Sequence, residues 1–316
     1  MENRRRKLRA ARIVALAIAA GTAQGALAQE SSYVFTTGGS TCSPPICTVQ
    51  TYDSWGQEVT PVWHLLTHNL DAGGGAGMSW LSSPSYFLSV NEGIYYPLIA
   101  GSADFEPGHA FNLFSLSNNG SGCPFVHLTT IGNSFENYTV LDHPALNGAP
   151  AARLLVTPMR EDDRIQEHVG VWYNTLTERW NIFYQDTAAF MEPGAQFVVL
   201  SDACAVGLEF RPVHVATVGN TLGSFTALDA PDLDGRPSEV LFVTQVWDED
   251  GPVYNDNPVA VSFDAAARRW RIVNEGGAAM PLGARFHWAR AAVVHRCDFE
   301  LGLNGVGFDG WTGVSP

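Results

Sequence analysis

Alternation of apolar and polar residues with a period of two marks a hairpin that the chain repeats. Its fullest form is Gly170-Val171-Trp172-Tyr173-Asn174, a short polar loop, then Arg179-Trp180-Asn181-Ile182-Phe183-Tyr184-Gln185. A second form is Val259 to Asp264 followed by Arg269 to Glu275, and a worn form runs from Gly77 to Leu81 and from Phe87 to Glu92. In the later form Val259, Val261, Phe263, Trp270 and Ile272 share one face, while Ala260, Ser262, Asp264 and Arg271 share the other. One face is core and one is wet, as in an antiparallel sheet with one solvated side. In the fuller hairpin Trp172 and Phe183 fall on the wet face. Either something covers that face, or it is an exposed aromatic patch.

The surrounding pattern repeats as well. Val126-His127-Leu128 matches Val213-His214-Val215, Leu154 to Thr157 matches Leu241 to Thr244, and Met191 to Phe197 matches Met280 to Phe286. Leu65-Leu66-Thr67-His68 takes the corresponding place in the worn copy. Each copy holds about six short strands between Gly, Pro, Asn and Asp turns, with no amphipathic helix. The pattern predicts an all-β chain of three tandem copies of a small antiparallel β-sandwich or partly open barrel, the first copy diverged. The expected units are residues 29–118, 119–205 and 206–296, followed by a Gly-rich tail, residues 297–316. Domains this small bury modest cores, so the copies are expected to lean on one another.

Residues 1–28 change the picture of charge and address. Arg4, Arg5, Arg6, Lys7, Arg9 and Arg12 precede a short apolar run and the small-residue site Ala26-Leu27-Ala28. This predicts a cleaved secretory signal peptide and a secreted, periplasmic or cell-surface protein with no membrane span in the mature chain. Cleavage removes six of 18 basic and one of 32 acidic residues, leaving a net charge of −19. Lys7 is the only lysine, so Schiff-base and phosphate-loop lysines are excluded from the mature protein. Strong acidity argues against nucleic acid as a partner. A glycan or a cell-surface protein fits better. Five cysteines in an exported chain predict disulfides: Cys42 with Cys47 across one loop, Cys123 with Cys204, and Cys297 left over.

The run Gly-Val-Trp-Tyr, then Arg-Trp-Asn-Ile-Phe-Tyr-Gln-Asp, then Met-x-Pro-Gly-Ala-x-Phe resembles an uncharacterised β-rich repeat of secreted bacterial proteins, a domain of unknown function. The resemblance covers most of the second and third copies and, more faintly, the first. It departs at Tyr184, where the family has Asn, and at Gly276, where the family has Asp. It implies a β-rich repeat fold and export, and brings no activity with it.

The candidate chemistry is sparse. Trp172, Tyr173 and Phe183 are the candidate ligand-binding residues, since aromatic faces suit stacking on a sugar, although aromatic core is the competing reading. Asp229, Asp232 and Asp234 before Gly235 have the oxygen spacing of a calcium loop, against a plain β-turn held by Asp side chains. His127 and His214 read as packed rings, since Phe35 stands at that place in the first copy. His64 and His68 are four apart on a strand, a poor zinc spacing. Glu92 and Glu275 end their hairpins where Gln185 ends the other, which suits a structural hydrogen bond. Neither a Gly-x-Ser-x-Gly nor a His-Glu-x-x-His motif occurs, so no catalytic residue is assigned. The reading favoured is a non-catalytic binding or structural module, and the alternative is a secreted hydrolase of glycans or peptides using a carboxylate pair.

Overall fold

The computed structural model describes residues 30–36, 42–43, 46–47, 63–70, 86–91, 94–99, 110–116, 124–159, 167–204 and 207–292. Residues 1–28, expected to be a leader, the Gly-rich residues 297–316, Glu92 and Cys123 lie outside the described residues. The described chain is all β, and its only helical pieces are two 3-10 turns, Asp202–Cys204 and Pro231–Leu233. Three sheets are present and none closes into a barrel.

Each sheet joins strands from two of the three segments 29–118, 119–205 and 206–296. In the third segment, strand Leu241–Trp247 pairs antiparallel with Arg285–Ala291, and on its other side runs parallel to Val169–Asn174 of the second segment's hairpin. In the second segment, Leu154–Met159 pairs with Gln196–Ser201 and meets Tyr86–Asn91 of the first segment in parallel. In the first segment, Trp63–Asn69 pairs with Ala110–Leu116 and meets Val259–Asp264 of the third in parallel. First to third, third to second and second to first, the segments therefore close a ring. A parallel contact needs no tight turn between its strands, so it suits strands far apart in sequence.

Threonines mark the centre of that ring. Thr67, Thr157 and Thr244 are all buried. The Thr67 hydroxyl accepts the N–H of Val243 at 3.2 Å, that of Thr244 accepts Val156 N–H at 3.0 Å, and that of Thr157 accepts Leu66 N–H at 3.0 Å. These three bonds satisfy backbone donors that face the middle of the molecule, two of them buried and that of Leu66 part-buried. Around them Leu65, Leu155 and Phe242 join Phe114, Leu200 and Ala289 in a shared central core.

The second and third segments each have a further core between their own two layers. Trp180, Ile182 and Tyr184 pack on Val156, Phe197 and Val199 in one, and Trp270 and Ile272 pack on Val243, Phe286 and Trp288 in the other. The hairpin tryptophans are buried with their indole N–H groups donating to Ala149 and Arg236 carbonyls, each at 2.9 Å. This is the core face that the alternation predicts. The opposite face is only partly wet: Ala260 and Ser262 are as buried as the core, whereas the Asp264 and Arg271 side chains keep 28% and 29% of their surface exposed. The loop before the third hairpin explains part of this, since Asn255 donates its N–H to Gln185 Oε1 at the end of the second hairpin. One edge of each sheet is a two-residue strand, Ser134–Phe135, Thr221–Leu222 or Cys42–Ser43, which offers little to a further strand.

Candidate aromatic pocket between the second and third segments

The parallel seam between Val169–Asn174 and Leu241–Trp247 sets Trp172 directly beside Trp247. Across the second hairpin, Phe183 stands opposite Tyr138 on the next strand. Tyr254, on the loop before the third hairpin, closes the circuit. Successive rings meet edge-on or tilted: Tyr138–Trp172 at 4.9 Å, Trp172–Trp247 at 6.0 Å, Trp247–Tyr254 at 6.0 Å and Tyr254–Phe183 at 5.9 Å between centroids. With Asn137 they line a hollow of about 160 Å³ that opens to the surface. Phe183 is its buried floor, and Tyr254, 44% exposed, is its rim.

Local sequence builds this floor. The Phe183 ring lies across Gly170, where a Cβ would come within 2.8 Å of it and within 2.6 Å of Gln185 Nε2. Only glycine leaves room for that ring. Trp247, which lines the hollow, has its indole N–H buried without a partner, and Oδ1 of Asn181, which pairs with Trp172 across the hairpin and lies outside the lining, is buried without one too. Such groups cost free energy unless something meets them. Trp172 N–H reaches Glu249 Oε1 at 3.4 Å, and Thr175 donates to the other oxygen of Glu249 at 2.7 Å. Nearby, burial raises the carboxyl pKa of Glu167, with Asp186 and Asp256 adding repulsion, and burial with Asp186 raises that of Asp256.

Of the three aromatic candidates, Trp172 and Phe183 come together in the hollow. Tyr173 points to the opposite face, edge-on to Trp180 at 5.5 Å in the core. Tyr138, Trp247 and Tyr254 were missed from sequence. The alternation that singled out Trp172 and Phe183 reads within one hairpin, whereas Trp247 arrives through a parallel contact between segments.

The calcium-loop candidates do not converge. Asp232 pairs with Arg211, whose hydrogen bond holds the carboxyl below its usual range, Asp234 lies 3.5 Å from Arg269, and Asp229 is exposed. No cluster of three acid, His or Cys side chains fit for a metal occurs among the described residues. The loop is instead a turn, with Gly235 at φ +75° donating to Arg268 O. His127 and His214 bond Thr139 and Thr226, each at 2.8 Å, and burial lowers both pKa values to about 4. His68 lies 3.0 Å from Glu275 across the seam between the first and third segments, both side chains fully buried. A second cleft, of about 70 Å³, lies beside the threonine ring and includes His68 and His168. Its three threonine hydroxyls are already bonded to backbone N–H groups. Cys42 and Cys47 face each other in a two-stranded hairpin register.

A family model described as Domain of unknown function (DUF7452) matches residues 100–201 and again 170–289, together more than half of the chain. No curated protein and no solved structure matches the chain. No described helix is long and apolar enough to cross a membrane.

Proposed function

The chain belongs to the DUF7452 family of domains of unknown function, and we propose that it is an exported tandem-repeat binding protein that takes its ligand in the pocket between Trp172 and Trp247. One observation carries the reading: five aromatic rings from two segments, linked by residues far apart in sequence, surround a hollow and do not fill it. Packed interiors rarely leave such a space, and aromatic side chains with a few polar groups are what ligand pockets use. The lining is five aromatic rings and one asparagine, with no carboxylate, histidine or cysteine among them, which favours binding over catalysis. The leader sequence and cysteine usage support export to a periplasmic or cell-surface setting, where a glycan or a cell-surface protein is within reach.

Binding arrays of glycans and of surface-protein ectodomains, probed with the wild-type chain and with Trp172→Ser, test the reading. Serine is the residue at the same register position of the third hairpin, Ser262, so the strand tolerates it. Retention that depends on Trp172 supports the pocket. Retention identical in both proteins contradicts it. The raised carboxyls of Glu167 and Asp256 favour a second reading, a hydrolase. Turnover of a polysaccharide or peptide, abolished by Glu167→Gln or Asp256→Asn with the fold intact, replaces the binding reading with that one.

A further inference from the structure

Among the described residues the aromatic circuit is seen at the second-third seam, and the matching place at the third-first seam is already occupied by the chain itself. Where the second-third seam has Tyr138, Trp172, Phe183 and Trp247, the register of the third-first seam sets Phe225, Ser262, Val273 and Leu70. Phe225 alone is aromatic there, and the guanidinium of Arg271 lies over its ring, 4.7 Å from the centroid. Arg271 also donates from Nε to Ser262 Oγ at 3.2 Å and from Nη1 to Asp264 Oδ2 at 3.4 Å. Arg271 faces Ser262 across its hairpin as Asn181 faces Trp172. One seam thus supplies its own arginine. The other carries a short asparagine and a hollow.

Two further observations point to the same group. Asn181 is 1% exposed, on the same strand face as Phe183; its amide donates to the Trp172 and Arg179 carbonyls, and its Oδ1 has no donor. Asn181 lies beneath the hollow and is not among the residues that line it, so it marks the position from which Arg271 reaches out at the other seam; a guanidinium, with five N–H donors and no acceptor, suits that place. The surroundings are anionic as well. Glu249 sits at the Trp172 edge. Asp186 and Asp256 follow Phe183 and Tyr254 by three and two residues and repel each other and Glu167. Of these acids Glu249 touches a lining residue, and its charge favours a cation held beside Trp172.

We infer that the pocket between Trp172 and Trp247 binds an arginine side chain of a partner polypeptide, whose guanidinium takes the place that Arg271 takes at the other seam. This rests on the binding role proposed for the same pocket and names its ligand group. Arginine fits better than lysine because its planar head stacks on indole faces and donates in a fork. The volume agrees: about 160 Å³ is close to a cavity that admits benzene and well below pockets that enclose whole small ligands. The free indole N–H of Trp247 wants an acceptor, and the peptide carbonyl beside an arginine provides one.

The test follows the indole N–H signals of Trp172 and Trp247 in the full-length chain, labelled with 15N-tryptophan, during titration with N-acetyl-arginine methylamide. Its neutral counterpart N-acetyl-norleucine methylamide and the sugar cellopentaose are titrated alongside. The arginine probe should shift both signals to saturation in roughly the millimolar range expected of a single side chain, at least about ten-fold more tightly than the norleucine probe. Glu249→Gln should weaken it by about three-fold, the size of a partly exposed charge contact. Asn181→Arg, which supplies a tethered guanidinium to the pocket, should abolish it while the remaining spectrum stays that of the folded protein. Equal response to the norleucine probe, or undiminished arginine binding by Asn181→Arg, overturns the arginine assignment and leaves the pocket standing. So does response to the sugar alone. Silence of both indoles toward all three probes overturns the arginine assignment and the binding role together.

Discussion

Replacing Thr244 by valine removes one oxygen from the centre of the molecule and almost nothing else. The two side chains have nearly the same shape, so Thr244→Val leaves no cavity. What it leaves is the Val156 N–H, buried and deprived of the acceptor 3.0 Å away. An orphaned buried donor costs about 1–3 kcal/mol, and the added methyl returns a fraction of that, so the net loss should be roughly 1–2 kcal/mol. For a chain of this size that corresponds to a fall in Tm of about 2–3 °C. Urea unfolding followed by tryptophan fluorescence measures it, with Thr177→Val on an exposed turn as the control that should change stability by less than about 0.5 kcal/mol. Because the three bonds are cyclically equivalent, Thr67→Val and Thr157→Val should cost similar amounts, and hydrogen exchange should show Val156, Leu66 or Val243 losing protection according to the variant. A Thr244→Val protein as stable as the wild type, or one whose Val156 amide stays protected, would refute the role given to the ring.

Three other outcomes are expected. Trp270→Ala should destabilise by about 3–5 kcal/mol, the usual penalty for emptying a large core site, since the ring is 2% exposed and its N–H is bonded; urea midpoints check it. Burial holds His127, His214 and His287 at about 4, below the usual 6.5, so the unfolded chain takes up protons first: their contribution is intact above pH 6.5 and is lost as pH falls toward 4, with a slope of about 4 kcal/mol per pH unit near pH 5 if all three act independently. His127→Phe, the residue of the first copy, should flatten that slope by about a third, and an unchanged slope in urea titrations at pH 7.5, 6 and 5 would contradict the assignment. Mass mapping of the non-reduced chain should recover a peptide linking Cys42 to Cys47, with Cys123–Cys204 as the second pair, and a free Cys42 thiol would dispose of the loop reading.

The parts of this fold that were legible in the sequence are those governed by neighbours along the chain. Alternation at Val261, Trp270 and Ile272 marks the core face of a hairpin, and Gly235 after a run of polar residues marks a turn, because strand period and turn geometry are local. The joining of segments was not legible. Nothing in Trp247 or Met159 announces a parallel contact with a hairpin from another segment, since such contacts depend on how the central cores of Leu65, Leu155 and Phe242 come together. That is why Trp172 and Phe183 could be recognised as misplaced on a wet face, whereas Trp247 and Tyr254, which turn that face into a pocket, could not. It is also why Tyr173, beside Trp172 in sequence, proved to be a core residue: adjacent strand positions face opposite ways. At Asp229, Asp232 and Asp234 a metal loop stood as the alternative to a turn because spacing alone cannot show that Arg211 and Arg269 lie against two of the three carboxylates.

The three segments form one interlocked unit, and the pocket exists only where the second meets the third. Scanning calorimetry of the full-length chain tests this most directly. The account predicts a single cooperative transition in which calorimetric and van't Hoff enthalpies agree, and no comparable transition for residues 119–205 alone. Separate transitions for the segments, or an isolated 119–205 that melts at the temperature of the intact chain, would contradict it.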